Sequence, residues 1–162
     1  MLPTKKGTVI TTYGQVESAV YFVRSGILEI TLKSNETEKI LDFFFAGDML
    51  TALTSFLQQQ PSDVEIVALT DCELEKITHT DLQKAYVHSA DANTFGRLMI
   101  EQAYLKKAKR EKDLLAKTAE ERYAEMLHTH KQYITEIPVN KIARYLGIQP
   151  ESLSRIRRKL IS

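Results

Sequence analysis

Tryptophan is absent from the 162 residues, cysteine occurs once, and there are only six glycines and four prolines. A single cysteine, Cys72, excludes an internal disulfide framework, a four-cysteine zinc site and a cysteine-held iron–sulfur cluster. Its bland reading is a buried core thiol. No apolar run approaches the roughly 18–20 residues that cross a bilayer. The opening Met-Leu-Pro-Thr-Lys-Lys-Gly lacks the apolar stretch of a signal peptide, so the expected compartment is the cytoplasm and no membrane partner is expected. Catalytic signatures are missing too. There is no nucleophile elbow, phosphate-cradling glycine loop or metal-binding motif. His128 and His130 are two residues apart and point to different sides, and His79 and His88 have no evident partner. The expectations are no metal and no enzymatic activity.

What the chain does have is an ordinary soluble composition, 43% hydrophobic and 27% charged, enough for a packed core. Its net charge of +1 conceals an asymmetry. Residues 1–90 carry 7 Lys+Arg against 12 Asp+Glu, a net −5, whereas residues 91–162 carry 15 against 9, a net +6. Such a division points the C-terminal half toward a polyanion.

The first 78 residues alternate with period two. Thr8–Thr12, Ala19–Arg24, Ile27–Lys33, Lys39–Phe45, Val64–Leu69 and Cys72–Thr78 read as short strands. Gly7, Gly14, Gly26 and Gly47-Asp48 punctuate them, and Ser34-Asn35-Glu36 reads as a hairpin tip. Antiparallel strands at this spacing imply a small barrel or sandwich. The period then changes. Thr80-Asp81-Leu82-Gln83 fits a capping box, and Asp91 to Lys117 predicts one long helix with a single Gly and no Pro. Its first half is apolar almost all round, through Phe95, Leu98, Met99, Ile100, Ala103, Tyr104 and Leu105, which predicts burial both by its own barrel and by a second subunit. Phe95, Leu98, Met99, Gln102 and Leu105 are the expected dimer interface, and Lys106–Asp113 reads as a charged, solvated continuation. Thr118-Ala119-Glu120-Glu121 is a second capping box, opening a helix through about His128, after which a loop ends at Pro138.

The last stretch is the most informative. A helix over Val139–Leu146 stops at Gly147, and Pro150 stands at the first turn of the next. Ala143 is small where two helices approach closely, and Ile142, Leu146, Ile148, Leu153, Ile156 and Leu160 supply a shared core. Against the Leu153/Ile156/Leu160 stripe stands a polar one of Glu151, Ser154, Arg155 and Arg158. One packed face and one face of donors and acceptors suits a helix that reads base edges. Arg forks onto guanine, Glu accepts from cytosine, and Ser takes either bases or phosphate. Arg157 and Lys159 lie to the flanks and, with Arg158, suit phosphate contacts. The same spacing also fits an ordinary amphipathic hairpin with a solvated basic face.

The string Ile142-Ala143-Arg144-Tyr145-Leu146-Gly147-Ile148-Gln149-Pro150-Glu151-Ser152-Leu153-Ser154-Arg155-Ile156-Arg157 closely resembles the helix-turn-helix of the Crp/Fnr family of bacterial transcription regulators. Lys5-Lys6-Gly7, Tyr21-Phe22-Val23-Arg24-Ser25-Gly26 and Phe45-Ala46-Gly47-Asp48 match, in order, recurrent turns of that family's cyclic-nucleotide-binding-type barrel. The resemblance implies an α+β protein in three parts: a sensor-like antiparallel β-barrel or jelly roll over 1–90, a dimerisation helix over 91–117, and a helix-turn-helix DNA-binding domain over 118–162. It implies a double-stranded DNA operator, a homodimer and RNA polymerase as partners. Glu151, Ser154 and Arg155 fill the Glu-x-x-Ser-Arg pattern with which the Fnr-like branch reads its half-sites. Pro150 stands where the Crp-like branch has an additional Arg, which favours an Fnr-like operator. Relative to the family, the chain starts almost at the first strand, without the usual N-terminal helical segment. It also ends two residues after Leu160, without a β-wing, so fewer phosphate contacts are expected.

The same resemblance assigns effector binding to the stretch after Gly47-Asp48. Members that bind cyclic AMP use a Glu there for the ribose and an Arg some ten residues later for the cyclic phosphate. Ala52 replaces the Glu, no Arg lies between Arg24 and Arg97, and Asp63 brings negative charge toward the phosphate position. Burying a cyclic phosphate without a cationic partner is costly, so cyclic AMP is not the expected ligand. Thr51, Ala52, Leu53, Thr54, Ser55, Ser62 and Asp63 are the candidate lining of a pocket for another small molecule, or belong to a surface loop on a ligand-free scaffold. No cofactor is identified. Two alternatives to DNA reading stay open: an effector-binding module whose C-terminal helices contact protein, and a dimerisation scaffold with an inactive helix-turn-helix.

Overall fold

The computed structural model describes residues 1–34 and 37–161, and the expected hairpin tip at Asn35-Glu36 lies outside them. Eight strands come first. They are β1 (Leu2–Thr4), β2 (Val9–Thr11), β3 (Ala19–Ser25), β4 (Leu28–Ser34), β5 (Thr37–Phe44), β6 (Met49–Leu50), β7 (Val64–Ala68) and β8 (Cys72–Thr78), with the short helix α1 (Leu53–Gln58) between β6 and β7. They form two antiparallel sheets, ordered β1-β8-β3-β6 and β2-β7-β4-β5. Of the two expected forms the sandwich is the one observed: the barrel is not closed, and two four-stranded sheets face each other.

Alternation explains the core between them. Ala19, Tyr21 and Val23 of β3, Leu74 of β8, Leu28 and Ile30 of β4, and Val64, Ile66 and Ala68 of β7 turn inward and pack together. Cys72 joins them as a buried thiol, its ionisation pushed up by burial, with Sγ donating to the Ile27 carbonyl at 3.5 Å. Strands β1 and β6 are additions to the expected set, because two or three residues are too few to display a period. So is α1. Its N-cap, Ala52, supplies no side-chain bond, and Gln59 ends it in the left-handed region at φ 52°, a conformation rarely signalled by glutamine.

Five helices follow: α2 (His79–His88), α3 (Ala90–Ala116), α4 (Ala119–Ile134), α5 (Val139–Leu146) and α6 (Pro150–Ile161). The α2 cap lies two residues earlier than expected. Thr78, not Thr80, accepts from the Asp81 amide at 3.1 Å and also bonds its carboxylate. The cap of α4 is the expected one, with Thr118 and Glu121 exchanging both bonds of a capping box. That helix nevertheless runs past His128 to Ile134, through a non-helical turn at His130. There the imidazole stacks on Phe45 at 4.4 Å, and Tyr133 stacks on the same ring at 4.6 Å.

A second core joins the two halves of the chain. Phe43 and Ile40 of β5, with Ile27, Phe45 and Leu69 beside the strands, pack against Tyr123, Met126 and Ile134 of α4. The same cluster takes in Ile137, Ile142, Ala143 and Leu146 of α5, and Leu153 of α6. The C-terminal helices are therefore laid directly on the outer face of the β4–β5 sheet.

Candidate nucleic-acid interface and effector pocket

Helix α5 ends at Gly147, whose φ of 72° lies in the left-handed region that favours glycine. Its amide donates to Arg144 O at 3.2 Å and the next amide, Ile148, to Ala143 O at 3.0 Å, which closes the helix and redirects the chain. Ile148 and Gln149 make the turn, and Pro150 opens α6. Ile142, Ala143 and Leu153 are completely buried where the two helices cross. Ile148 and Ile156 pack at the edge, but Leu160, expected in this core, is 40% exposed and outside the cluster.

On the opposite side of α6, Glu151, Ser154 and Arg155 are exposed, and Arg158 stands with them. The Ser154 hydroxyl donates to Pro150 O at 3.0 Å, and Arg155 reaches Ser152 Oγ at 3.3 Å; both bonds are local and solvent-facing, so cheaply exchanged. Among the flanking cations, Arg157 is half-buried, and Lys159 pairs with Glu120 of α4 at 2.7 Å.

Sequence reasoning missed the residues that aim this helix pair. Arg110 of α3 donates to Leu41 O of β5 at 2.9 Å and to Tyr145 O of α5 at 2.8 Å, with its guanidinium 3.6 Å above the Tyr145 ring. Burial pushes the Tyr145 hydroxyl up to about 12. Lys106 bridges to Asp42 at 2.9 Å, and Arg122 of α4 donates to Leu146 O at 2.8 Å. Lys141 of α5 pairs with Glu29, a carboxylate of β4 that is only 3% exposed. Lys106–Asp113 is thus largely solvated as expected, but Lys106, Lys109 and Arg110 also tie it to β5, α4 and α5. A run of charges at helical spacing carries no mark that separates the tying residues from the solvated ones.

The apolar half of α3 has the converse status. Its own sandwich does not cover it: Phe95 is 52% exposed, Leu98 43% and Leu105 58%, Gln102 is exposed and Met99 half-buried. Only Gly96 is buried, beneath the Tyr86 ring of α2.

The candidate effector residues fall into two groups. Thr54 and Asp63 face solvent, so Asp63 is not in the sandwich interior, and Leu53 is half-buried. Ala52, Ser55 and Ser62 are buried, and the polar groups turn back onto the protein: Thr51 Oγ1 donates to Ala19 O at 2.8 Å, Ser55 Oγ to Gln60 O at 2.5 Å and Ser62 Oγ to Val64 O at 2.7 Å. Around them lies a carboxylate that the sequence reading passed over. Glu17, 2% exposed, accepts at Oε1 from the Ser18 and Ala19 amides at 2.9 and 3.1 Å and from the Tyr21 hydroxyl at 3.4 Å. Its Oε2 accepts from Thr11 at 2.6 Å and faces the Ala52 amide at 3.5 Å. Burial and the neighbouring Glu17 hold the Tyr21 phenol up at about 12, so it remains a donor. One signal was available, since Glu17 shares the inward parity of Ala19, Tyr21 and Val23. Among the described residues no cluster of three or more His, Cys, Asp or Glu is arranged to hold a metal ion, and no helix is long and apolar enough to cross a membrane.

Solved structures share this fold. FixK2 from Bradyrhizobium japonicum is 22% identical over 99% of this chain and 85% of its own, with a TM-score of 0.82. CLP from Xanthomonas campestris, a c-di-GMP-responsive global regulator, is 20% identical over 98% of this chain and 84% of its own, at 0.75. A protein assigned to the Crp/Fnr family of transcriptional regulators from Eubacterium rectale is 22% identical over 98% and 76%, at 0.77. No curated protein sequence matches this chain. The model of the cyclic nucleotide-binding domain matches residues 2–89, which span the whole sandwich and α2. By that match the chain belongs to the cyclic nucleotide-binding domain family.

Proposed function

We propose that the protein is a homodimeric, sequence-specific DNA-binding transcription regulator of the Crp/Fnr type, working without cyclic AMP. The observation that carries the reading is the two-sided α6: Leu153 fully buried against α5, and Glu151, Ser154 and Arg155 exposed together on the other side. In this reading residues 118–162 hold the DNA-reading unit, in which Glu151, Ser154 and Arg155 meet base edges in the major groove. Arg157, Arg158 and Lys159 meet phosphates, the last by exchanging Glu120 for the backbone. Residues 91–117 join two copies through Phe95, Leu98, Met99, Gln102 and Leu105, which pairs two recognition helices for a palindromic site. Residues 1–90 are the sensor-derived part, whose contribution is to position α5 and α6 through the shared core.

The test is selection of bound fragments from sheared genomic DNA by the purified protein, with and without added cyclic AMP. A palindromic motif enriched equally in both arms is expected. Enrichment only with cyclic AMP would overturn the effector reading. No enrichment in either arm would count against DNA reading and favour helices that contact protein.

A further inference from the structure

The stretch that the family devotes to a diffusible ligand is already engaged in this chain. The hydroxyls of Thr51, Ser55 and Ser62 each end on a protein carbonyl, and the Ala52 amide faces a carboxylate from the chain itself. That carboxylate is held from both sides. The Glu17 amide donates to Ser55 Oγ at 2.9 Å and its carbonyl accepts from Gln59 at 3.3 Å, so main chain as well as side chain is tied to the α1 segment. Every group meeting the two oxygens is a donor: two backbone amides and a phenol on one, a hydroxyl and a third amide on the other. Donors converging from β2, β3 and the start of α1 make a small anion-binding nest, and the anion in it is covalently part of the protein.

We propose that Glu17 is the resident anion of the sandwich, a built-in substitute for the anionic group of a diffusible effector. Its presence makes the domain self-occupied. A cyclic phosphate brought to the same donors would meet a second negative charge at close range with no cation among the named contacts to offset it. Glu17 then adds to the missing Arg a second ground for effector independence, and removing that side chain should expose a latent site for small anions. The inference rests on the reading of the sandwich as cyclic-AMP-independent and not on DNA binding.

The experiment is thermal unfolding of the full chain and its Glu17→Ala variant, in formate at ~0.1 M, in chloride of equal ionic strength, and with cyclic AMP at about 1 mM. The wild type should show no shift with formate over chloride and none with cyclic AMP. Glu17→Ala should melt lower by on the order of 10 °C, since five donors lose their acceptor, and formate but not chloride should recover a substantial part of the loss. Unfolding of Glu17→Ala indifferent to formate would overturn the proposal. If that variant is insoluble in every buffer, Glu17→Gln decides. Its amide fills the space but turns an N–H₂ toward donors, so it should melt lower and ignore formate, and a wild-type Tm would overturn the inference. Stabilisation of the wild type by cyclic AMP would sink both this inference and the effector reading. Failure of formate rescue alone would sink only the inference.

Discussion

The two halves of α3 invert what their compositions advertise. From Phe95 to Leu105 the helix is rich in apolar side chains that stand open beside one Arg97–Glu101 ion pair, whereas from Lys106 to Asp113 it is charged and fastened through Lys106, Lys109 and Arg110 to β5, α4 and α5. The difference is instructive about what each kind of surface needs. Apolar groups gain by leaving water wherever a complementary surface exists, including on another molecule, so an open apolar half suits the proposed pairing with a second copy. Arginine and lysine gain only where carbonyls or carboxylates are placed to receive them, and Leu41, Tyr145, Asp42 and Glu125 provide those acceptors within the chain. In the proposed reading, one helix divides its length between holding a second copy and bracing α5 of the same chain.

The comparison breaks most sharply at Leu98. Leu98→Asp places a carboxylate where the proposed dimer is most apolar, and two copies would face each other across the two-fold axis. Self-association measured by sedimentation equilibrium should weaken at least ~100-fold, about 3 kcal/mol, with the fold of the monomer intact. An unchanged association constant would remove α3 as the dimer seam. Next comes Arg110→Ala, which removes two charge-assisted bonds to carbonyls and the stacking on Tyr145. Urea unfolding should show a loss of about 2–3 kcal/mol, against less than ~0.5 kcal/mol for its exposed neighbour in Lys107→Ala. Equal effects at the two positions would mean that Arg110 does not fasten the charged half.

How much of this was legible depended on whether the determinant is local. The Val139–Leu146 helix, Gly147 and Pro150 came straight from the sequence, because capping and turn chemistry act within a few residues. So did the Thr118 capping box. The α2 cap was misplaced by two residues because Thr78 and Thr80 carry the same hydroxyl, and tertiary pairing of β8 up to Thr78 chose between them. Strand β6, paired through Met49 and Leu50 alone, has no period to detect. For the candidate site the polar face of α6 was readable, since both of its stripes lie on one element. Arg110 and Lys141 were not, because their partners are 69 and 112 residues away in the chain, and Glu17, though mostly held by neighbours within six residues, was betrayed only by its inward parity.

The proposed recognition helix sharpens the contrast from the other side, since Arg155 is exposed and bonded one turn away rather than held by another element. Arg155→Ala should leave the melting temperature within about 1–2 °C of wild type, because the side chain bonds only locally, to Ser152 one turn away. Operator affinity should fall by about 1–3 kcal/mol, with relaxed preference at one base position of each half-site. Uniform weakening on every sequence would reassign Arg155 to the phosphate backbone. The log–log salt slope would then become shallower by about 0.9 for each phosphate no longer neutralised, which separates the two roles in one titration series.

The smallest effect is a pH dependence that should belong to the docked half alone. Bonds from Lys109, and then from Lys117, hold the carboxyls of Asp113 and Glu125 below their ordinary range. Carboxylates with lowered folded values add stability that is fully present above the unfolded pKa of about 4, and that disappears as acid carries the pH down through the lower folded values. Lys109 is exposed and Lys117, Asp113 and Glu125 are half-buried but still reached by water, so the contribution is modest and screened by salt. Melting temperature followed from pH 7 to below pH 4 should therefore decline more steeply for the wild type than for a Lys109→Ala, Lys117→Ala double variant, with the two curves converging at the acid end. High salt should shrink the gap. Parallel curves would show that the α3–α4 charge cluster decorates the docked half without holding it, leaving Arg110 and the core around Tyr145 to fasten the helix.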